Sequence, residues 1–143
     1  MLFGNTDLCK WVEGDFNIWF METHNDLAKE CKALEIMCHV STAYVNCNRP
    51  GGLIEEKIYI DSEEEVEKAA ANLMSKDDSY LKDNLKMIIG NFPNTYTFTK
   101  NMAEKFILRN KGDVKCVIVR PSIITGSMSQ PFPGWSDTVS AAG

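Results

Sequence analysis

Tyr96 and Lys100 are the residues of this 143-residue chain whose types and spacing most directly suggest chemistry. Residues four apart on a helix lie above one another, with their Cβ atoms roughly 5–6 Å apart. An ammonium held at that distance favours the phenolate form of tyrosine, which can then give or take a proton near neutral pH. A Tyr-x-x-x-Lys spacing is a weak signal by itself. Its meaning depends on the elements around it.

Ser41 and Thr42 are a second pair with chemical potential, because they follow the short apolar run from Ile36 to Val40. This run predicts a buried strand that ends in a polar turn. The carboxyl ends of strands form the edge at which α/β folds bind ligands. A hydroxyl there can hydrogen-bond a substrate carbonyl and stabilise its developing oxyanion. The alternative is that both hydroxyls only cap the turn.

Helical periodicity and helix-start signals predict four helices along the chain. They are expected from about Glu13 to Leu34, from a capping-box start at Asp61, from Ser79 to Ile89, and from Asn94 to Arg109. The core side of the first should contain Leu27, Cys31 and Leu34, and that of the last Met102, Ala103, Phe106 and Ile107. Gly90 to Pro93 should break the chain before the Tyr-Lys helix.

Val114 to Val119 is the clearest strand in the sequence, and it should end at Arg120-Pro121 because proline cannot continue a central strand. Strands that alternate with helices indicate α/β architecture with a parallel sheet. Two strands are clear, and Met1 to Phe3 is a candidate third. We therefore expect the C-terminal part of a Rossmann-like, doubly wound parallel sheet domain, which is incomplete in this chain.

Composition narrows the possible partners. A net charge of -5 argues against a nucleic-acid surface, which is normally basic. Five cysteines without a Cys-x-x-Cys pair favour reduced thiols in an intracellular protein over a disulfide framework or zinc. His24 and His39 lack a partner cluster at ligand spacing, so no metal is expected, and His39 should simply be a strand residue. No apolar run approaches the roughly 18 residues of a transmembrane segment.

Blocks in a fixed order resemble the reductase domain of alcohol-forming fatty acyl-CoA reductases, which are extended short-chain dehydrogenase/reductases. The blocks are His39 to Asn46, Ile54 to Tyr59, Asn94 to Lys100, Ile118 to Ile124 and Pro131 to Trp135. Together they cover the chain from about Asn17 to Trp135. The resemblance implies that residues 1–143 form a partial NAD(P)-binding reductase domain.

In such an enzyme, NADPH would reduce a long-chain fatty acyl-CoA to a fatty alcohol. The resemblance implies that Tyr96 donates the proton and that Lys100 tunes it and binds the nicotinamide ribose. Thr42, in preference to Ser41, would polarise the carbonyl. Asn17 would help to fix a water and the catalytic lysine. The cofactor-binding residues would be Tyr96 and Lys100 together with Pro121, Ser122, Ile123 and Ile124, which would pass close to the nicotinamide, while Trp135 is more simply a packing anchor.

One departure from the family pattern is large: no Gly-x-Gly-x-x-Gly occurs in the sequence. That turn places backbone N–H groups against the pyrophosphate of a dinucleotide. Two alternatives therefore stay open, namely a catalytically inactive truncated or pseudoenzyme module, and another extended short-chain reductase. The resemblance also implies association with the peroxisomal or endoplasmic reticulum membrane through a partner segment, whereas the isolated chain should be cytosolic.

Overall fold

The computed structural model describes residues 25–60, 68, 72–73 and 75–136. Its named elements are β1 (Met37–Val40), α1 (Asp78–Asp83), α2 (Leu85–Ile89), α3 (Thr95–Asn110) and β2 (Cys116–Val119). Residues 25–30, 68 and 72–73 are also helical. The candidate strand at Met1 to Phe3, the helix starts at Glu13 and Asp61, and Asn17 lie outside the described residues. None of the helices in the described part is long and apolar enough to cross a membrane.

The two strands form a parallel pair, as the alternation of strands and helices predicts. Met37 lies opposite Cys116, and the register runs without a break to Val40 opposite Val119. Backbone pairing continues past both strands, since Ser41 N–H donates to the Val119 carbonyl at 2.7 Å and Ala43 N–H to that of Pro121 at 2.8 Å. The α/β class is therefore confirmed, and the carboxyl ends of both strands lie side by side.

Helix α3 begins where the sequence predicts because Asn94 caps it. The Asn94 side chain accepts a hydrogen bond from Thr97 N–H at 2.9 Å, which satisfies one of the N–H groups at the helix start. The predicted core side is also confirmed. The buried apolar cluster comprises Leu73, Leu81, Ile89, Phe92, Phe98, Met102, Ala103, Phe106 and Ile107, with Met37 and Cys116 of the sheet packed against it.

The sheet is covered on one face only among the described residues. Side chains alternate between the two faces of a strand. Met37 and His39 lie on the side of α3, where His39 is buried. Val40, Val117 and Val119 remain exposed. The site residues of α3 are therefore held against one face and one edge of the strand pair.

Two helix predictions were wrong in part. The expected helix from Ser79 to Ile89 is divided at Asn84, whose side-chain amide and backbone N–H both donate to the Tyr80 carbonyl. A side chain that competes for a helical carbonyl ends the regular ladder. The new turn begins at Leu85 and ends at Gly90, whose φ of 56° suits glycine.

The first predicted helix ends at residue 30 rather than at Leu34, and Leu27, Cys31 and Leu34 are exposed. A polar residue makes the tertiary contact instead. Asn25 is buried and donates from its amide to the Asn110 carbonyl at the end of α3, at 2.8 Å. This bond satisfies one of the carbonyls that a helix leaves without a partner at its C-terminal end, so the first helix contacts α3 through a polar residue rather than through its predicted apolar side.

Candidate active site

Tyr96 and Lys100 lie one turn apart at the start of α3, as predicted. Tyr96 is 37% exposed, whereas Lys100 is only 6% exposed. The Lys100 Nζ atom lies 6.0 Å from the centroid of the Tyr96 ring. It also donates a 2.8 Å hydrogen bond to the carbonyl of Val40, at the end of β1. A buried ammonium is thus fixed between a solvent-accessible phenol and the end of a strand.

The structure brings the two predicted hydroxyls to the same edge. The carbonyl that binds Lys100 belongs to the peptide that joins Val40 to Ser41, and Ser41 and Thr42 are each 4% exposed. Their hydroxyls differ in environment. Thr42 Oγ1 accepts from Tyr44 N–H at 3.3 Å, whereas the buried Ser41 Oγ has no hydrogen-bond partner among the described residues. Thr42 Oγ1 thus caps the turn as an acceptor, whereas Ser41 keeps its full hydrogen-bonding capacity.

The segment after β2 runs next to these hydroxyls. The Pro121 carbonyl accepts from Ala43 N–H, so the exit from β2 is tied to the turn that follows β1. Beyond it Ser122, Ile123 and Ile124 are exposed. The residues predicted for the cofactor thus border those predicted for the chemistry, except Asn17, which lies outside the described residues.

His39 is a buried titratable group of β1 whose pKa is affected by the Lys100 charge. Burial lowers its pKa to about 4, with the Lys100 charge acting in the same direction and the Glu104 charge opposing it. The imidazole is therefore neutral near neutral pH, and its Nε2 atom has no hydrogen-bond partner in the described part of the chain. Its position in β1 confirms the prediction of a strand residue.

Two polar contacts of α3 were not predicted from the sequence. Glu104 is 1% exposed and binds Arg120 through both oxygens, with 2.9 Å to Nε and 2.6 Å to Nη2. The buried Asn101 amide donates to the Val45 carbonyl at 3.1 Å. One signal was available, since Glu104 follows Lys100 by four residues and therefore lies on the same helix side.

The segment 126–135 forms a closed loop beyond the cofactor-side residues. Ser127 N–H donates to the Trp135 carbonyl and Gly134 N–H to the Ser127 carbonyl, both at 2.7 Å. Gly126 passes so close that a Cβ atom there would lie 2.6 Å from the Gly134 oxygen. Trp135 itself is exposed, so its backbone rather than its ring closes the loop.

No cluster of three or more His, Cys, Asp or Glu side chains suited to a metal ion occurs within the described ranges. The chemistry available at this edge is instead that of a phenol, an ammonium and two hydroxyls. Such a set can donate a proton to a carbonyl oxygen and hydrogen-bond that oxygen while charge develops on it.

The sequence is similar to those of known proteins of one family. Residues 15–142 match an NAD-binding family described as male sterility protein. The chain is 44% identical over 114 residues to fatty acyl-CoA reductase 1 of Xenopus laevis, and this match covers 78% of the chain and 21% of the relative. The human fatty acyl-CoA reductase 1 is 40% identical over 111 residues, with the same two coverages.

A plant relative, probable fatty acyl-CoA reductase 5 of Arabidopsis thaliana, is 33% identical over 133 residues, which are 77% of the chain and 27% of the relative. The chain thus spans about a fifth to a quarter of the length of these curated relatives. No solved structure matches it. The chain belongs to the male sterility protein family, and the relatives that it matches are fatty acyl-CoA reductases.

Proposed function

We propose that this chain is the catalytic part of an NADPH-dependent fatty acyl-CoA reductase, within a Rossmann-like, doubly wound domain. The observation that carries the proposal is the position of Lys100. Its ammonium is held by the Val40 carbonyl and lies 6.0 Å from the centroid of the partly exposed Tyr96 ring. The names of the relatives supply the substrate class, a fatty acyl-CoA.

The proton chemistry follows from the three side chains. Tyr96 gives its phenolic proton to the oxygen of the substrate carbonyl, and Lys100 stabilises the phenolate that remains. Thr42 donates a hydrogen bond to the same oxygen and so lowers the energy of the developing oxyanion. Its hydroxyl accepts from Tyr44 N–H, which leaves its proton to be donated. Ser41, buried and unpartnered, is the alternative donor.

The described residues fit the nicotinamide end of the cofactor. An exposed phenol, an orphaned buried hydroxyl and the exposed residues 122–124 lie near one sheet edge. When bound, NADPH would supply one hydride to the thioester carbon, with coenzyme A released as its thiol to give the aldehyde, and a second NADPH would supply the hydride that gives the alcohol. Pro121 to Ile124 would contact the carboxamide, Lys100 the ribose, and Asn17 would support Lys100 through a water. A glycine-rich turn for the phosphate end does not occur within these 143 residues.

A second candidate function is that of a catalytically inactive member of the family that binds an acyl-CoA or a protein partner. The two functions differ in one observable, the transfer of reducing equivalents. Binding of acyl-CoA is expected of both, whereas oxidation of NADPH is expected only of the reductase.

The test is a turnover assay on the purified protein with a saturated long-chain acyl-CoA. NADPH absorbance should fall only when the acyl-CoA is present, and mass spectrometry should find a fatty alcohol, with two NADPH consumed for each alcohol formed. NADH in place of NADPH serves as the matched control for cofactor choice. Acyl-CoA binding without any loss of NADPH absorbance would reject the reductase in favour of the inactive member.

A further inference from the structure

The ion pair between Glu104 and Arg120 joins α3 to the residue that follows β2, next to the candidate site. The Glu104 side chain is 1% exposed, and it lies one turn after Lys100 and two turns after Tyr96 on α3. Arg120 stands directly after β2 and offers its planar guanidinium to both carboxylate oxygens, at 2.9 and 2.6 Å. Paired bonds of this kind fix orientation as well as distance. This contact raises the pKa of Arg120 further above its ordinary value.

Stability alone does not account for such a pair. The desolvation of a buried carboxylate offsets much of the attraction to its partner, and well-packed apolar residues in place of a buried ion pair are often as stable or more so. Apolar side chains make no directional bonds. A bidentate ion pair, by contrast, holds two chain segments at one separation and one angle.

Three contacts form a closed triangle around the site. Lys100 joins α3 to the end of β1 through the Val40 carbonyl. Ala43 joins the turn after β1 to the exit from β2 through the Pro121 carbonyl. The ion pair of Glu104 with Arg120 joins that exit back to α3. The ion pair thus sets the position of residues 121–124 relative to the side chains of Tyr96 and Lys100.

Arg120 also contacts a further segment, the one around Lys57. Its Nη2 atom donates to the Lys57 carbonyl at 3.1 Å. This bond brings the segment around Lys57 to the same exit. A guanidinium has enough donors to serve both partners at once, whereas a lysine ammonium lacks the planar fork.

We propose that Glu104 and Arg120 are positioning residues, which set the distance between the proton-donating start of α3 and the residues that would carry the nicotinamide. The kinetic part of this proposal rests on the proposed reductase function. Its structural part, the attachment of the β2 exit to α3, stands independently of it.

The decisive variant replaces both members by apolar residues of similar length, Glu104→Met with Arg120→Met. We expect a protein that unfolds at about the temperature of the wild type, because the buried carboxylate and the half-buried guanidinium that pairs with it are removed together. We expect its kcat per folded molecule to fall on the order of 10²-fold, the scale of a misplacement by about 1 Å. The single variant Arg120→Lys keeps a cation but lacks the planar fork, so its kcat should lie between that of the double variant and that of the wild type.

The matched control is the exposed pair of Asp26 and Lys29, 3.2 Å apart, removed as Asp26→Asn with Lys29→Gln. It should change neither stability nor kcat. An unchanged kcat in the folded double methionine variant would overturn the proposal. If that variant does not fold, Arg120→Lys decides in its place, and a kcat equal to the wild type would overturn the proposal as well.

A second measurement separates this proposal from the reductase assignment. Amide hydrogen exchange reports the Ala43 N–H, which donates to the Pro121 carbonyl, against the N–H of Phe106 inside α3 as an internal reference. In the double methionine variant the Ala43 amide should exchange faster while that of Phe106 keeps its rate. Equal protection of Ala43 in both proteins would reject the attachment. A wild type without reductase activity would reject the proposed function and leave this result to decide.

Discussion

Replacement of His39 by phenylalanine should remove a pH-dependent loss of stability that the wild type shows. In the folded chain His39 is 8% exposed, and burial lowers its pKa from 6.5 to about 4. In the unfolded chain it regains the ordinary value. As the pH falls below about 6.5, the unfolded state therefore binds a proton that the folded state refuses until about pH 4. The wild type therefore keeps its full free energy of unfolding above about pH 6.5 as far as His39 is concerned, and it loses the contribution of His39 as the pH falls to about 4.

The size of this loss follows from the shift. A difference of about 2.5 pKa units, at roughly 1.4 kcal/mol for each unit, amounts to about 3 kcal/mol between pH 6.5 and pH 4. That is a large share of the roughly 5–15 kcal/mol by which domains are usually stable. Below about pH 4 this residue should cause no further change, because both states then carry the proton.

Urea unfolding followed by tryptophan fluorescence, repeated across this pH window, measures the effect. The wild-type free energy of unfolding should fall by about 3 kcal/mol more than that of His39→Phe between pH 6.5 and pH 4. His24→Gln separates the contribution of the other histidine of the chain. Parallel pH profiles for the wild type and His39→Phe would refute the assignment of a neutral, buried imidazole.

Three further predictions concern the positions of single groups. Asn94→Ala removes the acceptor of Thr97 N–H at the start of α3 and should cost about 1 kcal/mol in urea unfolding, whereas an unchanged midpoint would deny the cap. Thr42→Ala should lower kcat on the order of 10²-fold if Thr42 is the oxyanion donor; a larger fall for Ser41→Ala would transfer that role to Ser41. Ile107→Ala, at a 2% exposed position, should cost about 2–5 kcal/mol, and a smaller loss would contradict its place in the core.

Local signals in the sequence predicted the catalytic helix well. The polar cap at Asn94 and the break before it place the helix start to within one residue, and the apolar spacing predicts its buried side. The parallel pair was predictable for a similar reason, because short apolar runs on either side of helices permit few arrangements. Val114 and Lys115 were assigned to the second strand, which begins only at Cys116.

The contacts that complete the site were not predictable in this way. Glu104 and Arg120 are 16 positions apart, and nothing local to either residue indicates the other. Their meeting depends on how α3 crosses the strand pair. The predicted core side of the first helix proved to be exposed for the same reason. An apolar period shows that a helix has two different faces, but it does not show which face packs against the rest of the protein. Asn25 found a partner at the Asn110 carbonyl.

Tyr96→Phe tests the central claim most directly. The substitution removes one hydroxyl from a ring that is 37% exposed, so the fold should be kept, and circular dichroism provides the control. Turnover of NADPH with a long-chain acyl-CoA should fall on the order of 10²–10⁴-fold, the usual contribution of a positioned proton donor, while NADPH affinity in a fluorescence titration stays nearly unchanged. Turnover equal to the wild type, with NADPH still bound, would contradict the role of Tyr96 as the acid.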